Sequence, residues 1–258
     1  WAGAASVAAV DDLGCTPLHL AADWGRQSTV QYLIGQAGAA SLAARDAEGR
    51  TALLRAAAAG ELGTVQLLVE QAGAASVAAV DRRGRTALHL ASWAWELDTV
   101  QFLLEQAGAA SLTAVDARGR TALHAACSPP ASSGSWVLEG QLDTVRLLVS
   151  SGASVFAAAG NGQTPLEVAC SVAEVNQQVV QYLAQEMALA ASPPPGAAAV
   201  FVRLPPQMAL LAMSAVAAGW RAEKAEHAAY RAAEQRRRLE AQQLYVAVAC
   251  QRAADGGC

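Results

Sequence analysis

The sequence is poor in aromatic residues, which make up only 5% of a chain that is 53% hydrophobic. Much of the remaining hydrophobic content is alanine, and small side chains allow helix axes to approach closely. This composition favours short, tightly packed helices. Long apolar runs are also missing. The most apolar stretch, residues 208–218, is far shorter than the ~20 residues that cross a bilayer, so no membrane partner is predicted.

The chain carries no large charge of one sign and no cysteine framework. Its formal net charge is −4, which gives no general case for nucleic acid as a partner. Its five cysteines include no C-x-x-C pair, and an odd number does not suit a set of disulfides. We therefore expect reduced thiols in an intracellular, cytoplasmic protein.

What the sequence does contain is one motif in five near-copies. Each copy begins at a threonine, and the threonines are separated by 35, 35, 35 and 43 residues: Thr16, Thr51, Thr86, Thr121 and Thr164. A fixed period of this length is typical of stacked repeat proteins. One such unit cannot bury its apolar face alone, so neighbours stack into an elongated surface rather than a closed pocket. The repeat therefore favours binding over catalysis.

Each unit is predicted to contain two helices and a turn. The threonine is an N-cap residue, because its hydroxyl accepts a hydrogen bond from an otherwise unpaired backbone N–H. Glycine is expected to end the first helix at Gly25, Gly60 and Gly140. A second helix with one apolar face follows. Aspartate and, three residues later, glycine then form a type I turn, as at Asp46 and Gly49.

These motifs resemble the ankyrin repeat family. The matching segments follow four of the repeat threonines: Thr16-Pro-Leu-His-Leu-Ala-Ala22, Thr86-Ala-Leu-His-Leu-Ala91, Thr121-Ala-Leu-His-Ala-Ala126 and Thr164-Pro-Leu-Glu-Val-Ala169. The resemblance covers residues 1 to about 187. It implies an all-α solenoid of helix-turn-helix units with projecting β-hairpin loops. It also implies a protein that binds other proteins on its concave face.

Three of the four histidines recur at one position of the repeat, as His19, His89 and His124. The family resemblance implies that each ties the start of its helix to the loop of the neighbouring unit by hydrogen bonds. Leu54 and Glu167 occupy this position in the other two units, which excludes a repeated imidazole site. No spacing of histidine, cysteine or carboxylate residues indicates a catalytic or metal-binding constellation.

Other segments flank or interrupt the repeats. Residues 1–15 read as a partial hairpin of a truncated upstream repeat, so we expect the chain to be a fragment with more repeats before it. Five repeats occupy residues 16–187, with an insertion at about residues 129–139. A proline-rich linker is predicted at 188–205 and a long C-terminal helix at 206–255. Three alternatives stay open for that helix: packing on the last repeat, pairing with another helix, or remaining free.

Four of the six tryptophans fall at the end of a first helix or in the turn after it: Trp24, Trp93, Trp95 and Trp136. Tryptophan is enriched in interface hot spots, because it combines a large apolar area with one polar group. These residues are therefore candidate partner-binding residues. The alternative is that their rings pack against an adjacent unit or the insertion. Trp95 replaces the turn glycine, where a positive φ would be unfavourable for a bulky residue.

Arginines form the second candidate binding group. Stacking of the units would bring six of them to one edge, opposed by Glu48 alone: Arg50, Arg82, Arg83, Arg85, Arg118 and Arg120. Such a local positive field would attract a partner protein with an acidic or phosphorylated segment. The alternative is a solvated edge that keeps the stack soluble.

The leading hypothesis is a non-catalytic scaffold that binds another protein through the hairpin tips, the first helices and the tryptophan-rich turns. Two other classes stay open. One is the recognition arm of a larger enzyme whose catalytic domain lies outside this chain. The other is a structural protein that self-associates through its C-terminal helix. No catalytic residue, cofactor or metal is predicted.

Overall fold

The computed structural model describes residues 7–128, 138–171 and 177–189, together with residues 200, 203–205, 207–214 and 216. Within these residues the chain forms five pairs of α-helices. In chain order they are α1 (Pro17–Asp23) and α2 (Gln27–Ala37), α3 (Ala52–Ala59) and α4 (Leu62–Ala72), α5 (Ala87–Ala94) and α6 (Leu97–Ala107), α7 (Ala122–Ala126) and α8 (Leu138–Ser150), and α9 (Pro165–Cys170) and α10 (Gln177–Leu189). The described residues contain no β-strand, and the predicted all-α solenoid is confirmed.

Each first helix begins directly after its repeat threonine because that residue caps it. The threonine backbone is extended, with φ −85° and ψ 168° at Thr51, and its hydroxyl accepts a hydrogen bond from the Leu54 N–H at 3.4 Å. In the other four units the threonine N–H is bound by the side chain three positions later. The acceptor is a histidine Nδ1 at 3.2 to 3.3 Å or a carboxylate oxygen at 2.7 Å: His19, His89, His124 and Glu167. This reciprocal capping fixes the start of the helix.

The same histidines also join neighbouring units. Nε2 of His19 lies 3.0 Å from the Arg50 carbonyl oxygen, and the equivalent distances are 2.9 Å for His89 and 3.1 Å for His124. Because Nδ1 accepts from the threonine N–H, the neutral ring carries its proton on Nε2 and donates it to the carbonyl of the next unit. The structural role that the family resemblance implies is therefore confirmed.

Five short loops, which we call fingers, project from the helix pairs: residues 11–15, 46–50, 81–85, 116–120 and 159–163. In the first four, aspartate starts a turn that glycine completes, with N–H to carbonyl distances of 2.8 to 3.0 Å. The aspartate side chain accepts two further backbone bonds. Asp81 Oδ1, for example, lies 2.9 Å from the N–H nitrogens of both Arg83 and Arg85. The predicted aspartate–glycine turns are thus confirmed.

Neighbouring fingers are joined tip to tip by one backbone hydrogen bond each. The four bonds measure 2.7 to 2.9 Å and link the second residue of one finger to the third residue of the finger before it: Ala47 to Leu13, Arg82 to Glu48, Ala117 to Arg83, and Gly160 to Arg118. The tips therefore form one continuous row along the stack. Side chains take no part in these bonds, so a tip side chain can change without breaking the row.

The first helices pack closely together, and this packing curves the stack. They are five to eight residues long and contain fully buried alanines such as Ala22, Ala56, Ala91 and Ala126. In the first four units, adjacent first helices contact one another more extensively than adjacent second helices do. The first helices and the fingers consequently lie on the concave side.

Trp95 ends α5 in the place of a turn glycine. Its φ is 60°, the only positive φ at a non-glycine residue in the described part of the chain, and its side chain is 5% exposed. The indole Nε1 donates to the Ala126 carbonyl at 2.8 Å, and the Gln141 amide donates to the same oxygen at 3.0 Å. Trp95 therefore packs against the end of the short helix α7. This burial removes it from the candidate binding residues.

In the fourth unit, the first helix does not end at the predicted glycine. Gly140 lies inside α8 and does not end α7, which stops at Ala126. The insertion separates this glycine from the first helix, so it becomes part of the second. A Cβ at Gly140 would make a tight contact, 3.3 Å from the Trp95 carbonyl oxygen. Residues 129–137, which include Trp136, lie outside the described residues.

The described part of the C-terminal segment packs against the repeats. Val200, Leu204 and Ala212 are buried in the same core as the helix pairs. Arg203 Nε donates to Oε1 of Glu167 at 2.9 Å. Glu167 stands where three other units have histidine. In those units the histidine contacts a carbonyl oxygen of the next unit, and here Glu167 contacts the Arg203 side chain instead.

The predicted linker at 188–205 and helix at 206–255 fall only partly within the described residues. Residues 207–214 are helical. Ala212 is buried in the core of the helix pairs, Met208 and Leu211 pack against that core, and residues 217–258 lie outside the described part of the chain, so the three alternatives for the whole helix stay predictions. Among the described helices, none has the length and hydropathy needed to cross a membrane.

The buried histidines are expected to make the stack sensitive to acid. Burial lowers the pKa of His19, His89 and His124 below the ordinary value, against the opposing effect of the bond to the neighbouring carbonyl. The unfolded chain therefore binds more protons than the native chain at pH values below about 6.5. The stabilisation from neutral histidine is complete above about pH 6.5, and the free energy of unfolding should fall as the pH drops from there toward about 5.

Urea unfolding at about pH 7.5 and about pH 5.5 measures this loss. A variant with His89→Leu and His124→Leu is the control, because leucine is the natural residue at this position in the second unit and does not titrate. Its pH dependence over this range should be clearly smaller than that of the natural chain. Equal pH dependence of the two proteins would contradict the role given to the histidines.

A second expectation concerns Trp95. Trp95→Gly restores the usual turn residue and relieves the positive φ, but it removes a buried ring and one of two donors to the Ala126 carbonyl. Because lost packing outweighs relieved strain, we expect a destabilisation of about 2–4 kcal/mol. Urea unfolding beside Trp24→Ala, which removes an exposed tryptophan, measures the difference. A Trp95→Gly variant as stable as the natural chain would show that strain dominates at this position.

Candidate binding surface

The concave side of the stack brings two sets of residues together. One set is the last turn of each first helix, which carries Trp24 at the end of α1 and Trp93 in α5. The other set is the row of finger tips, with two residues from each finger. The helices are held by the core and the tips by one another, so both sets have defined positions. We call the combined area the concave face.

Two of the four candidate tryptophans are exposed on the concave face. Trp24 is 70% exposed and Trp93 is 37% exposed. They stand at neighbouring positions of the repeat, eight residues after Thr16 and seven after Thr86. Leu20 lies four positions before Trp24 on the same helix face and is also exposed. Leu20 and Trp24 are thus large apolar side chains left in water beside one another, which marks a candidate interaction site.

The other two candidate tryptophans do not add to this exposed area. Trp95 is buried against the fourth unit, and Trp136 lies outside the described residues. Trp93 and Trp95 are only two positions apart, yet Trp93 is still helical whereas Trp95 is the residue at which the chain leaves α5. The change of backbone direction at Trp95 places its indole nitrogen against α7.

Three of the six candidate arginines are paired within their own fingers. Arg50, Arg85 and Arg120 each contact the aspartate four positions earlier, at 2.7 to 3.1 Å. Burial acts to raise the pKa of Asp116, but hydrogen bonds from the Arg120 backbone and side chain hold it below its ordinary value. The carboxylate therefore remains ionised at neutral pH. These three arginines stiffen the fingers and present little free charge.

The other three arginines are exposed at finger tips and have no ion-pair partner within the described part of the chain: Arg82, Arg83 and Arg118. The prediction of six arginines opposed by Glu48 alone is therefore wrong. A buried aspartate lies behind each of the second, third and fourth fingers and neutralises one arginine there. Among the residues of the five fingers, the arginines without an ion pair lie in the third and fourth fingers; Arg45, just before the second finger, is also exposed and donates to the Gly49 and Val80 carbonyl oxygens.

Arg55, which the sequence motifs did not single out, is a buried charge that joins the first two units. It donates to Asp46 Oδ2 at 2.8 Å and to the Cys15 sulfur at 2.9 Å. Burial acts to lower the pKa of Arg55, but the bond to Asp46 raises it above its ordinary value. The sequence could have pointed to Arg55, because two other first helices carry a leucine, Leu20 or Leu90, at the same position of the repeat.

The three described cysteines are buried free thiols. Burial raises the pKa of Cys15, against the lowering effect of the nearby Arg55 charge. Burial likewise raises the pKa of Cys127 well above its ordinary range and that of Cys170 to about 11. None of the three has the lowered pKa of a nucleophilic thiol. The described residues also contain no group of three side chains placed to hold a metal ion.

The finger row is bordered by open depressions. One has a volume of about 470 Å³ and is lined by the second and third fingers, including Glu48, Arg82 and Arg83. Another has a volume of about 610 Å³ and is lined by the fourth and fifth fingers, including Arg118 and Asn161. Open, shallow sites of this kind suit a segment of a protein better than an enclosed small molecule.

Comparisons with known proteins agree with this architecture. A family described as ankyrin repeats (3 copies) matches residues 39–114 and 78–152, and a single ankyrin repeat matches residues 13–47. These matches cover more than half of the chain and extend from α1 to α8. A search of curated proteins found no match. Ankyrin repeats generally mediate protein–protein interaction and are typically non-catalytic binding modules. This chain, with its stacked helix pairs, capping histidines and bonded fingers, belongs to the ankyrin repeat family.

Proposed function

We propose that this protein is a non-catalytic scaffold that binds another protein on its concave face, with Trp24 and Trp93 as the anchors of the contact. One observation carries the proposal: two tryptophans of an aromatic-poor chain are exposed on the same face of the stack. Tryptophan is one of the residues enriched in interface hot spots. The binding role of ankyrin repeats in general supports the same class of function.

Covering these rings would supply a substantial share of the binding free energy. An aromatic side chain buries about 150–250 Å², and apolar surface removed from water is worth about 25 cal/mol per Å². Covering the exposed part of Trp24 would then contribute about 3 kcal/mol. This corresponds to about a hundredfold in the dissociation constant. Trp93 is less exposed and would contribute less.

The second unit leaves space between the two anchors. Its residues at the tryptophan positions are Ala58 and Ala59, which are small and at least partly exposed. Packed helices lie about 8–10 Å apart, so two units separate the rings by about 16–20 Å. An extended segment of about five or six residues spans that distance. A standard interface of about 800 Å² per partner would cover three or four of the five proposed repeats.

The arginine tips and the free thiols extend the proposal. An acidic or phosphorylated segment of the partner is the chemistry that exposed arginines favour. A reducing compartment such as the cytoplasm is the proposed location, which the free thiols of Cys15, Cys127 and Cys170 support.

The tryptophan anchors can be tested with Trp24→Ala and Trp93→Ala. Both rings are solvent-exposed, so we expect the free energy of unfolding to change by less than about 1 kcal/mol. Partner binding should weaken by about tenfold or more for each variant, as for hot-spot residues. The measurement is affinity capture from the source cell's lysate with mass spectrometry, followed by titration of the purified captured protein.

Tyr32→Ala is the matched control, because Tyr32 is an exposed aromatic residue on the second helix α2. It should leave partner binding unchanged. A partner that the natural chain and both tryptophan variants bind equally well would refute the anchor role. A large loss of stability in Trp24→Ala or Trp93→Ala would instead show that the ring packs within the stack.

A further inference from the structure

We infer that the fingers of the third and fourth units receive a carboxylate-rich segment of the partner protein, bound by Arg82, Arg83 and Arg118. This inference rests on the proposed function and names the partner's chemistry and its position on the concave face. Three observations carry it: the order of residues along the finger row, the pairing of the neighbouring charges, and the reversal of charge along the stack.

The tip-to-tip bonds set the order of side chains along the finger row. From the first finger to the fifth, the row reads Asp12, Leu13, Ala47, Glu48, Arg82, Arg83, Ala117, Arg118, Gly160 and Asn161. Three of four successive positions are therefore arginine. This stretch spans about one to two repeat spacings, or about 10–20 Å. An extended peptide of about three to six residues covers the same length.

Neighbouring carboxylates are already engaged elsewhere. Glu48, which precedes Arg82 in the row, accepts a bond from Arg50 Nη2 at 3.0 Å. The aspartate behind the third finger is bound by Arg85 Nη2 at 2.7 Å, and the one behind the fourth finger is bound by Arg120 Nη2 at 2.8 Å. The charges of Arg82, Arg83 and Arg118 are consequently left for a ligand.

Charge reverses along the stack. The formal charge is −2 for residues 11–15, +2 for 81–85, +1 for 116–120 and zero for 159–163; it is −1 for 46–50, where the adjacent Arg45, which donates to the Gly49 carbonyl oxygen, offsets that charge. Asp12 is exposed at the acidic end. An acidic segment is attracted to the third and fourth fingers and repelled from the first. The reversal therefore favours the third and fourth fingers as the position of the segment.

The arrangement favours several carboxylates over a single phosphate. A phosphate site needs guanidinium groups that converge on one point and are held there by partners. Here the three free arginines follow one another along a row, and none is held by an ion pair in the described part of the chain. A row of single positive charges matches a row of single negative charges.

The test measures the binding of a fluorescently labelled hexaglutamate peptide to the full chain by fluorescence anisotropy. A hexaglutamine peptide and a glutamine peptide with one phosphoserine serve as comparison probes. We expect hexaglutamate to bind at low salt, to weaken as sodium chloride is added, and to bind more tightly than either other probe. Arg82→Glu should weaken it by about tenfold or more. Arg82→Gln should weaken it by a smaller factor.

Arg26→Glu is the matched control, because it makes the same charge change at an exposed arginine away from the finger row. It should alter hexaglutamate binding by no more than about twofold. Thermal melting should be alike for all variants, because the tip-to-tip bonds use backbone atoms. If Arg82→Glu melts early, Arg82→Gln decides the question.

Several results would overturn the inference. The inference fails if Arg82→Glu and Arg26→Glu weaken hexaglutamate binding equally, or if the protein does not bind hexaglutamate at all. It also fails if hexaglutamine binds as tightly as hexaglutamate, or if the phosphoserine peptide binds more tightly than hexaglutamate. If one of these is found while capture of a partner still depends on Trp24 and Trp93, only this inference fails. If capture does not depend on the tryptophans, the proposed function fails instead.

Discussion

The whole structure depends on the close approach of its first helices. None exceeds eight residues, which is too short for stability in isolation, so each exists only between its neighbours. Buried alanine at these contacts lets the backbones come close. A histidine ring can then reach from the cap of its own helix to the carbonyl of the next unit. The same spacing allows the finger tips to bond, so the curvature, the histidine links between units and the finger row have one physical origin.

The two units without histidine show how the contact can be varied. In the second unit Leu54 makes no such bond, and the neighbouring Arg55 instead ties the unit to the one before it through Asp46 and Cys15. In the fifth unit Glu167 keeps the helix cap but uses its other oxygen to bind Arg203. The repeat thereby joins the C-terminal segment. A charge is tolerated at both places because a partner of opposite charge lies beside it.

On the concave face, residues of one type divide between supporting positions and exposed ones. The buried Trp95 closes the end of α7, whereas Trp93 remains exposed two positions earlier. Arg85 is paired with the aspartate of its finger, whereas Arg82 in the same finger is free of ion pairs within the described residues. Because the supporting residues are separate from the exposed ones, the exposed side chains can change while the stack remains intact. This separation explains how a repeat with fixed internal bonds can carry a variable surface.

The sequence alone determined the repeat, because its motif recurs mostly every 35 residues, and it determined the helix starts and turns, because these rest on residues at most four positions apart. It could not determine which tryptophan is exposed or which arginine is free. Trp95 is bound by a carbonyl 31 residues away, and Gly140 joined the second helix only because of the insertion. Within the fingers, the aspartates were recognised as turn residues but not as ion-pair partners of Arg50, Arg85 and Arg120. Exposure was decided by the tertiary structure, since it depends on how the units stack, whereas the arginine pairing was decided by how each finger folds around its buried aspartate.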